Sequence, residues 1–216
     1  MKYLDFYNKL NSMENKEYIE NYLLYNTSLV IAGVKPAVTL TLKKTNHKLH
    51  NSWNKFGKKF INEINLEYIQ LRENNDYTIL MIYDKNVLEK KINNKENREF
   101  LSKLGYNKEF LIDDCIKKLK TRYDKFHCPH ELGLFLGIPF KDVKDFMECT
   151  EKKCLLCGYW KVYNNTDEAK KIFNKYDEIK EYTMKSILKG SESSHNLIVN
   201  IKNSFYDNKN IYIAPN

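Results

Sequence analysis

Between His127 and Tyr163 the chain carries four of its five cysteines, two of its five histidines and one of its two tryptophans. The stretch opens with Cys128-Pro129-His130-Glu131-Leu132-Gly133-Leu134-Phe135-Leu136-Gly137. An imidazole beside a carboxylate, His130 and Glu131, supplies the groups used in general acid–base catalysis. If Pro129 is the first helical residue, Cys128 stands at the N-cap and His130 and Glu131 lie in the first turn. A thiol at that place has a lowered pKa, and a carboxylate there complements the helix dipole. Adjacent helical positions point about 100° apart, so the pair can serve one ligand only across the helix end. The plainer reading is that Glu131 complements the dipole and His130 caps the turn.

Cys128, Cys149, Cys154 and Cys157 give four sulfurs in a Cys-x20-Cys-x4-Cys-x2-Cys spacing. Four such donors suffice for tetrahedral zinc or an iron–sulfur cluster, so iron and zinc are the metals the sequence admits. The spacing matches neither common zinc-finger pattern. Cys154-x-x-Cys157 can also exchange thiol for disulfide, or pack as core beside Leu155 and Leu156. The following Gly158-Tyr159-Trp160-Lys161-Val162-Tyr163 sets one cation among three aromatics. As a strand it puts Tyr159, Lys161 and Tyr163 on one face, and Trp160 and Val162 on the other. Such a face can hold an anionic or planar ligand, with Trp160 adding aromatic surface. It can equally be an edge strand with a lysine in solvent.

These groups need a scaffold. Helical spacing of Tyr3, Phe6, Tyr7 and Leu10, then Tyr18, Ile19, Tyr22 and Leu23, predicts helix over residues 3–25, broken by Asn26-Thr27-Ser28. Val38 to Leu42 alternates as a strand, and Gly33 and Pro36 mark a turn before it. Trp53, Phe56, Phe60 and Ile64 form a helical stripe over 47–64. Residues 68–72 and 78–83 read as strands joined by the polar Glu73-Asn74-Asn75-Asp76 turn. Lys85 to Phe146 is mostly helical, with breaks near Gly105, at Pro129 and at Gly137–Pro139. Asp167 and Glu168 start a final helix over 167–188. A few strands early and helices afterwards indicate an α+β fold with a small antiparallel sheet. We expect one domain over 1–189 and a loosely held tail over 190–216.

A net charge of +8 and a pI of about 9.0 permit an anionic partner without requiring one. The lysines alternate with Glu and Asp, as on solvated helix faces. The sixteen tyrosines suit half-buried faces and ligand walls. No apolar run approaches the ~18 residues of a membrane span, and the N-terminus lacks a signal-peptide core. A cytoplasmic location and reduced thiols are therefore expected. Residues 131–148 also mimic a helix-turn-helix turning at Gly137. Its second helix carries Asp142, Asp145 and Glu148, which phosphates would repel, so nucleic acid is not the expected partner.

Taken together, Ala32-Gly33-Val34-Lys35-Pro36-Ala37, Pro129-His130-Glu131-Leu132-Gly133-Leu134-Phe135-Leu136-Gly137 and Gly158-Tyr159-Trp160-Lys161-Val162-Tyr163 resemble an uncharacterised bacterial domain-of-unknown-function family of anaerobic Gram-positive bacteria, over roughly residues 20–185. The resemblance implies that the three motifs meet in space. It also implies a link to iron or redox physiology, with a flavodoxin as redox partner. Lys35, His130, Glu131, Tyr159, Lys161 and Tyr163 would then surround one cleft for a small anionic ligand or cofactor. In an enzyme, His130 would be the acid/base, Glu131 its orienter, and Lys35 and Lys161 the anion holders.

Overall fold

In the computed structural model, the described residues are 2–107, 109, 111–148 and 151–206. Helices α1 (Lys2–Ser12) and α2 (Asn15–Ile31) lead into strand β1 (Ala37–Lys43). The expected break at Asn26-Thr27-Ser28 does not occur. Thr27 Oγ1 donates to the carbonyl of Leu23 and Ser28 Oγ to that of Tyr25, so both buried hydroxyls are satisfied inside the helix. Instead α2 runs on to Ile31 and is closed by Gly33, whose φ of 70° lets Gly33 N–H and Val34 N–H donate back to Val30 and Leu29.

A helical run follows as α3 (His47–Ser52), a π-helical turn (Trp53–Gly57) and α4 (Lys58–Glu63). Strands β2 (Glu67–Glu73) and β3 (Tyr77–Tyr83) form the expected hairpin, and the sheet order is β1-β3-β2, antiparallel throughout. The helical region then divides into α5 (Lys85–Ile92), α6 (Lys95–Lys103), α7 (Ile112–Lys125), α8 (Leu132–Phe135) and α9 (Phe140–Glu148). A short hairpin, β4 (Leu156–Cys157) and β5 (Lys161–Val162), precedes α10 (Thr166–Lys189) and α11 (Ser194–Phe205).

The architecture is α+β, with helices on both faces of one small sheet. Leu40, Leu42, Leu80 and Ile82 enter a core shared with α2, α10 and α11. Ala37, Leu71, Met81 and Tyr83 enter a second core shared with α5 to α8. Central β3 is thus covered on both sides, which explains its nearly unbroken apolar run. A bulge in β2 falls between Gln70 and Arg72. Within the stretch expected to be loose, α11 buries Leu197, Ile198 and Ile201, while residues 207–216 lie outside the described set. No described helix is long and apolar enough to cross a membrane.

Candidate functional site

Arg72, next to the β2 bulge, holds the start of the site. Its guanidinium donates to the carbonyls of Tyr123, of Phe126 at 2.8 Å and of His127 at 3.0 Å. Those carbonyls belong to the last turn of α7 and the chain just beyond it, where the helix dipole favours a cation. The segment entering Cys128-Pro129-His130 is thereby tied to the sheet.

The helix expected to begin at Pro129 begins three residues later. Leu132, Gly133 and Leu134 N–H groups donate to the carbonyls of Pro129, His130 and Glu131, so the chain turns tightly before the four residues of α8. Cys128 is therefore an exposed thiol in a loop, not an N-cap. Beyond α8, Gly137 adopts φ 83°, and a Cβ there would lie 2.6 Å from Pro36 Cδ. Only a glycine combines that backbone with that approach, so the first and second motifs are in contact.

Asp142 fixes the third motif. It is buried in the first turn of α9, and its carboxylate accepts from Trp160 Nε1 at 2.8 Å, Tyr163 N–H at 2.9 Å and Asn164 Nδ2 at 2.9 Å. Gly158 lets the hairpin approach α10 so closely that a Cβ would meet the Phe173 ring at 2.2 Å. The paired strand here is shorter than expected, covering only Lys161–Val162. Tyr159 and Trp160 lie in the hairpin's turn, where strict alternation fails. Trp160 consequently joins Tyr159 and Lys161 on the same groove.

That groove encloses about 430 Å³. Its lining includes Cys128, Pro129 and His130, Leu136 and Val143, and Phe146 with Tyr159–Lys161. The His130 ring meets Phe146 edge-on, with centroids 4.9 Å apart. Lys161 Nζ stands 5.7 Å from the same Phe146 ring. Phe146, at 43% exposure, is thus an aromatic surface flanked by an imidazole and an ammonium group. The groove is apolar inside and cationic at its rim.

Three residues expected in this cleft lie elsewhere. Glu131 is fully buried, its Oε1 accepting from Arg122 Nε and from Tyr106 Oη at 3.2 Å. The carboxylate binds α7 to the 104–106 turn and raises the Arg122 pKa above its ordinary value. Among the described residues it makes no bond to His130, and its Oε2 has no hydrogen-bond partner. Tyr163 is buried beyond Asp142. Lys35 sits near Tyr176, outside the groove lining.

Cys154 and Cys157 are exposed, with Sγ atoms 3.2 Å apart. Hydrogen bonding to Cys154 raises the Cys157 pKa. Cys149 lies outside the described residues. Among the described residues, no three His, Cys, Asp or Glu side chains are placed to hold one metal ion, and Cys128 does not join the Cys154–Cys157 pair in such a group. In the helix-turn-helix-like stretch, α8 has a single turn and the Asp142 face of α9 is covered by the Trp160 hairpin.

Sequence reasoning missed Arg72, Asp142 and Phe146 as site-forming residues. No curated protein and no solved structure matches the chain. A family model described as "Protein of unknown function (DUF3793)" matches residues 23–198, spanning all three motifs. The chain therefore belongs to that family of uncharacterised proteins.

Proposed function

We propose that this protein is a ligand-binding module whose groove takes a flat, apolar small molecule carrying an anionic group. One observation carries the reading. Residues from two separate motifs, Cys128–His130 and Tyr159–Lys161, line one apolar space of about 430 Å³. That volume falls in the range of small-molecule sites, which combine apolar walls with a few convergent polar groups. The Phe146 and Trp160 rings suit a planar ligand, and Lys161 with His130 suits its charge.

The test is calorimetric titration with 2-naphthoate, with the uncharged 2-naphthamide as comparator. Binding of the carboxylate, weakened about tenfold by Lys161→Gln and lost in Val143→Trp, supports the reading. Equal affinity for both compounds, or no effect of either substitution, refutes it.

A second reading adds redox chemistry, and the 3.2 Å separation of the Cys154 and Cys157 sulfurs favours it. Their two thiols would reduce one molecule of a small disulfide, yielding the Cys154–Cys157 disulfide and two small thiols. Such a pair would connect the groove to redox physiology, since Cys157 is paired with Lys161 across the hairpin. Incubation with oxidised glutathione followed by intact mass measurement tests it. A two-proton mass loss mapped to Cys154 and Cys157 is the expected product. Stable mixed disulfides on separate cysteines would exclude it.

A further inference from the structure

We propose that the recess framed by the end of α2, the α4–β2 turn, the start of α5 and the end of α11 is a second binding site, for a neutral saccharide. It shares no lining residue with the groove, and its argument does not rest on the groove's ligand.

The recess encloses about 920 Å³, more than twice the groove. Val30, Ile31, Ile64 and Leu66 reach it from the core, but all four are buried, so an incoming molecule meets chiefly polar groups. Asn62 and Asn65 come from the α4–β2 turn, Asn86 from the first turn of α5 and Asn203 from the last turn of α11. Each amide both donates and accepts. Among the described residues, none of these four side chains is hydrogen-bonded to another part of the chain. Asn65 takes φ 60°, a left-handed conformation that Asn tolerates better than most side chains. Its N–H donates to the Asn62 carbonyl at 3.0 Å, so the turn that carries two of the amides has a fixed path.

The charged groups at the recess balance. Glu67 accepts the Tyr83 hydroxyl at 2.9 Å, and Asp84 caps α5 by accepting Val87 N–H at 3.0 Å. Lys85 donates to Asp113 at 2.9 Å, and Lys202 is exposed on α11. Two carboxylates thus face two ammonium groups, and the lining has no net charge with which to select an ion. Three of the four are already oriented by partners, which lowers the cost of ordering them around a ligand.

Tyr206 supplies a flat surface. A Cβ on Gly33 would lie 2.5 Å from Tyr206 Cε2, so the ring rests on a backbone position that only glycine leaves open. Tyr206 nevertheless remains 41% exposed and lines the recess. A saccharide ring pairs a face of C–H groups with a rim of hydroxyls that both donate and accept. The aromatic face suits the first, and the amides suit the second. An aliphatic or heteroaromatic ligand would need apolar walls, which the buried aliphatic residues do not offer here. An anion would meet Glu67 and Asp84 as well as the lysines.

Saturation-transfer NMR of the full chain with cellobiose, maltose and N,N′-diacetylchitobiose at millimolar concentration tests the site, with glucose 6-phosphate as the charged comparator. At least one neutral disaccharide should receive saturation, strongest on the C–H protons of one ring face. Asn86→Ala/Asn203→Ala, at two exposed positions, should keep the parent Tm and weaken binding about tenfold or more. Tyr206→Ala should do the same, and Lys161→Gln, in the groove, should bind as the parent does. The proposal fails if no neutral disaccharide receives saturation. It fails equally if binding survives in both the Asn86→Ala/Asn203→Ala and the Tyr206→Ala proteins. Stronger transfer to glucose 6-phosphate than to every neutral disaccharide would make the recess an anion site and overturn it as well.

Discussion

The Asp142 carboxylate accepts the indole N–H of Trp160 at 2.8 Å, and this one bond couples α9 to the hairpin that lines the groove. The same carboxylate accepts from Tyr163 N–H and Asn164 Nδ2. A single buried acid therefore organises Trp160 and Tyr163 of the aromatic motif and the neighbouring Asn164.

Asp142→Ala leaves the Trp160 and Tyr163 donors buried without an acceptor. Each such orphan costs about 1–3 kcal/mol, so a loss of roughly 2–5 kcal/mol is expected in urea unfolding. Asp142→Asn keeps acceptor oxygen and should cost less. A loss below about 0.5 kcal/mol for Asp142→Ala would show that other contacts set the hairpin.

Glu131 should behave as a structural carboxylate. Glu131→Ala strands the Arg122 guanidinium in a mostly buried place, an effect of roughly 3–5 kcal/mol when one partner of a buried pair is removed. The Glu131→Leu/Arg122→Met double variant should recover most of that stability. His130→Ala, at an exposed edge-on contact, should change stability by no more than about 0.5 kcal/mol. Chemical denaturation of the four proteins separates these outcomes, and a His130→Ala cost equal to that of Glu131→Ala would contradict the assignment.

Gly137→Ala tests the contact between the first two motifs. It forces a side chain into φ 83° and places a Cβ 2.6 Å from Pro36 Cδ. The backbone term alone is about 1 kcal/mol, and the steric clash adds roughly 1–3 kcal/mol. Gly190→Ala is the control, since its φ of 62° is comparable but no atom stands within 4 Å. Gly137→Ala should therefore cost clearly more than Gly190→Ala. Equal losses would mean that Pro36 gives way without penalty.

Stability should rise with pH between pH 7 and pH 9. The folded-state pKa values of Lys35, about 8, and Lys180, about 7, lie below the ordinary 10.5. Across that interval the unfolded chain binds more protons than the folded one, so the slope of unfolding free energy with pH is positive. Above pH 9 the opposite contribution begins, because Cys115 is pushed from 9.0 to about 11 by burial, and its thiol favours the folded state only while the unfolded thiol stays protonated. A Tm rise of roughly 2–4 °C or more from pH 7 to pH 9, the shift that about 1 kcal/mol produces at this size, is expected in chloride. The rise should shrink in Lys35→Met/Lys180→Met. An identical pH profile in that variant would remove these lysines as its source.

Much of the scaffold was legible because local chemistry dictates it. Alternation in Val38–Leu42, the polar turn between residues 68–72 and 78–83, and the stripe from Ala169 to Ile179 each specify an element without reference to the rest of the chain. The break read at Asn26-Thr27-Ser28 failed because those hydroxyls found acceptors one turn back, which composition cannot show. The hairpin's turn defeated strand alternation at Tyr159 and Trp160 for a similar reason: Gly158 and Phe173 decide its path.

The sequence by itself determined the α+β class, the order of elements and the segments where polar and aromatic chemistry concentrates. Periodicity and turn residues act over a few positions, so they are written locally. Only the tertiary structure decided which of those side chains meet. Glu131 turned to Arg122, Lys35 to the Tyr176 ring, and His130 to Phe146, although the first and third are separated by one peptide bond. Such partnerships depend on burial and charge balance between distant segments, and those energies exist only once the two cores have closed on the shared sheet.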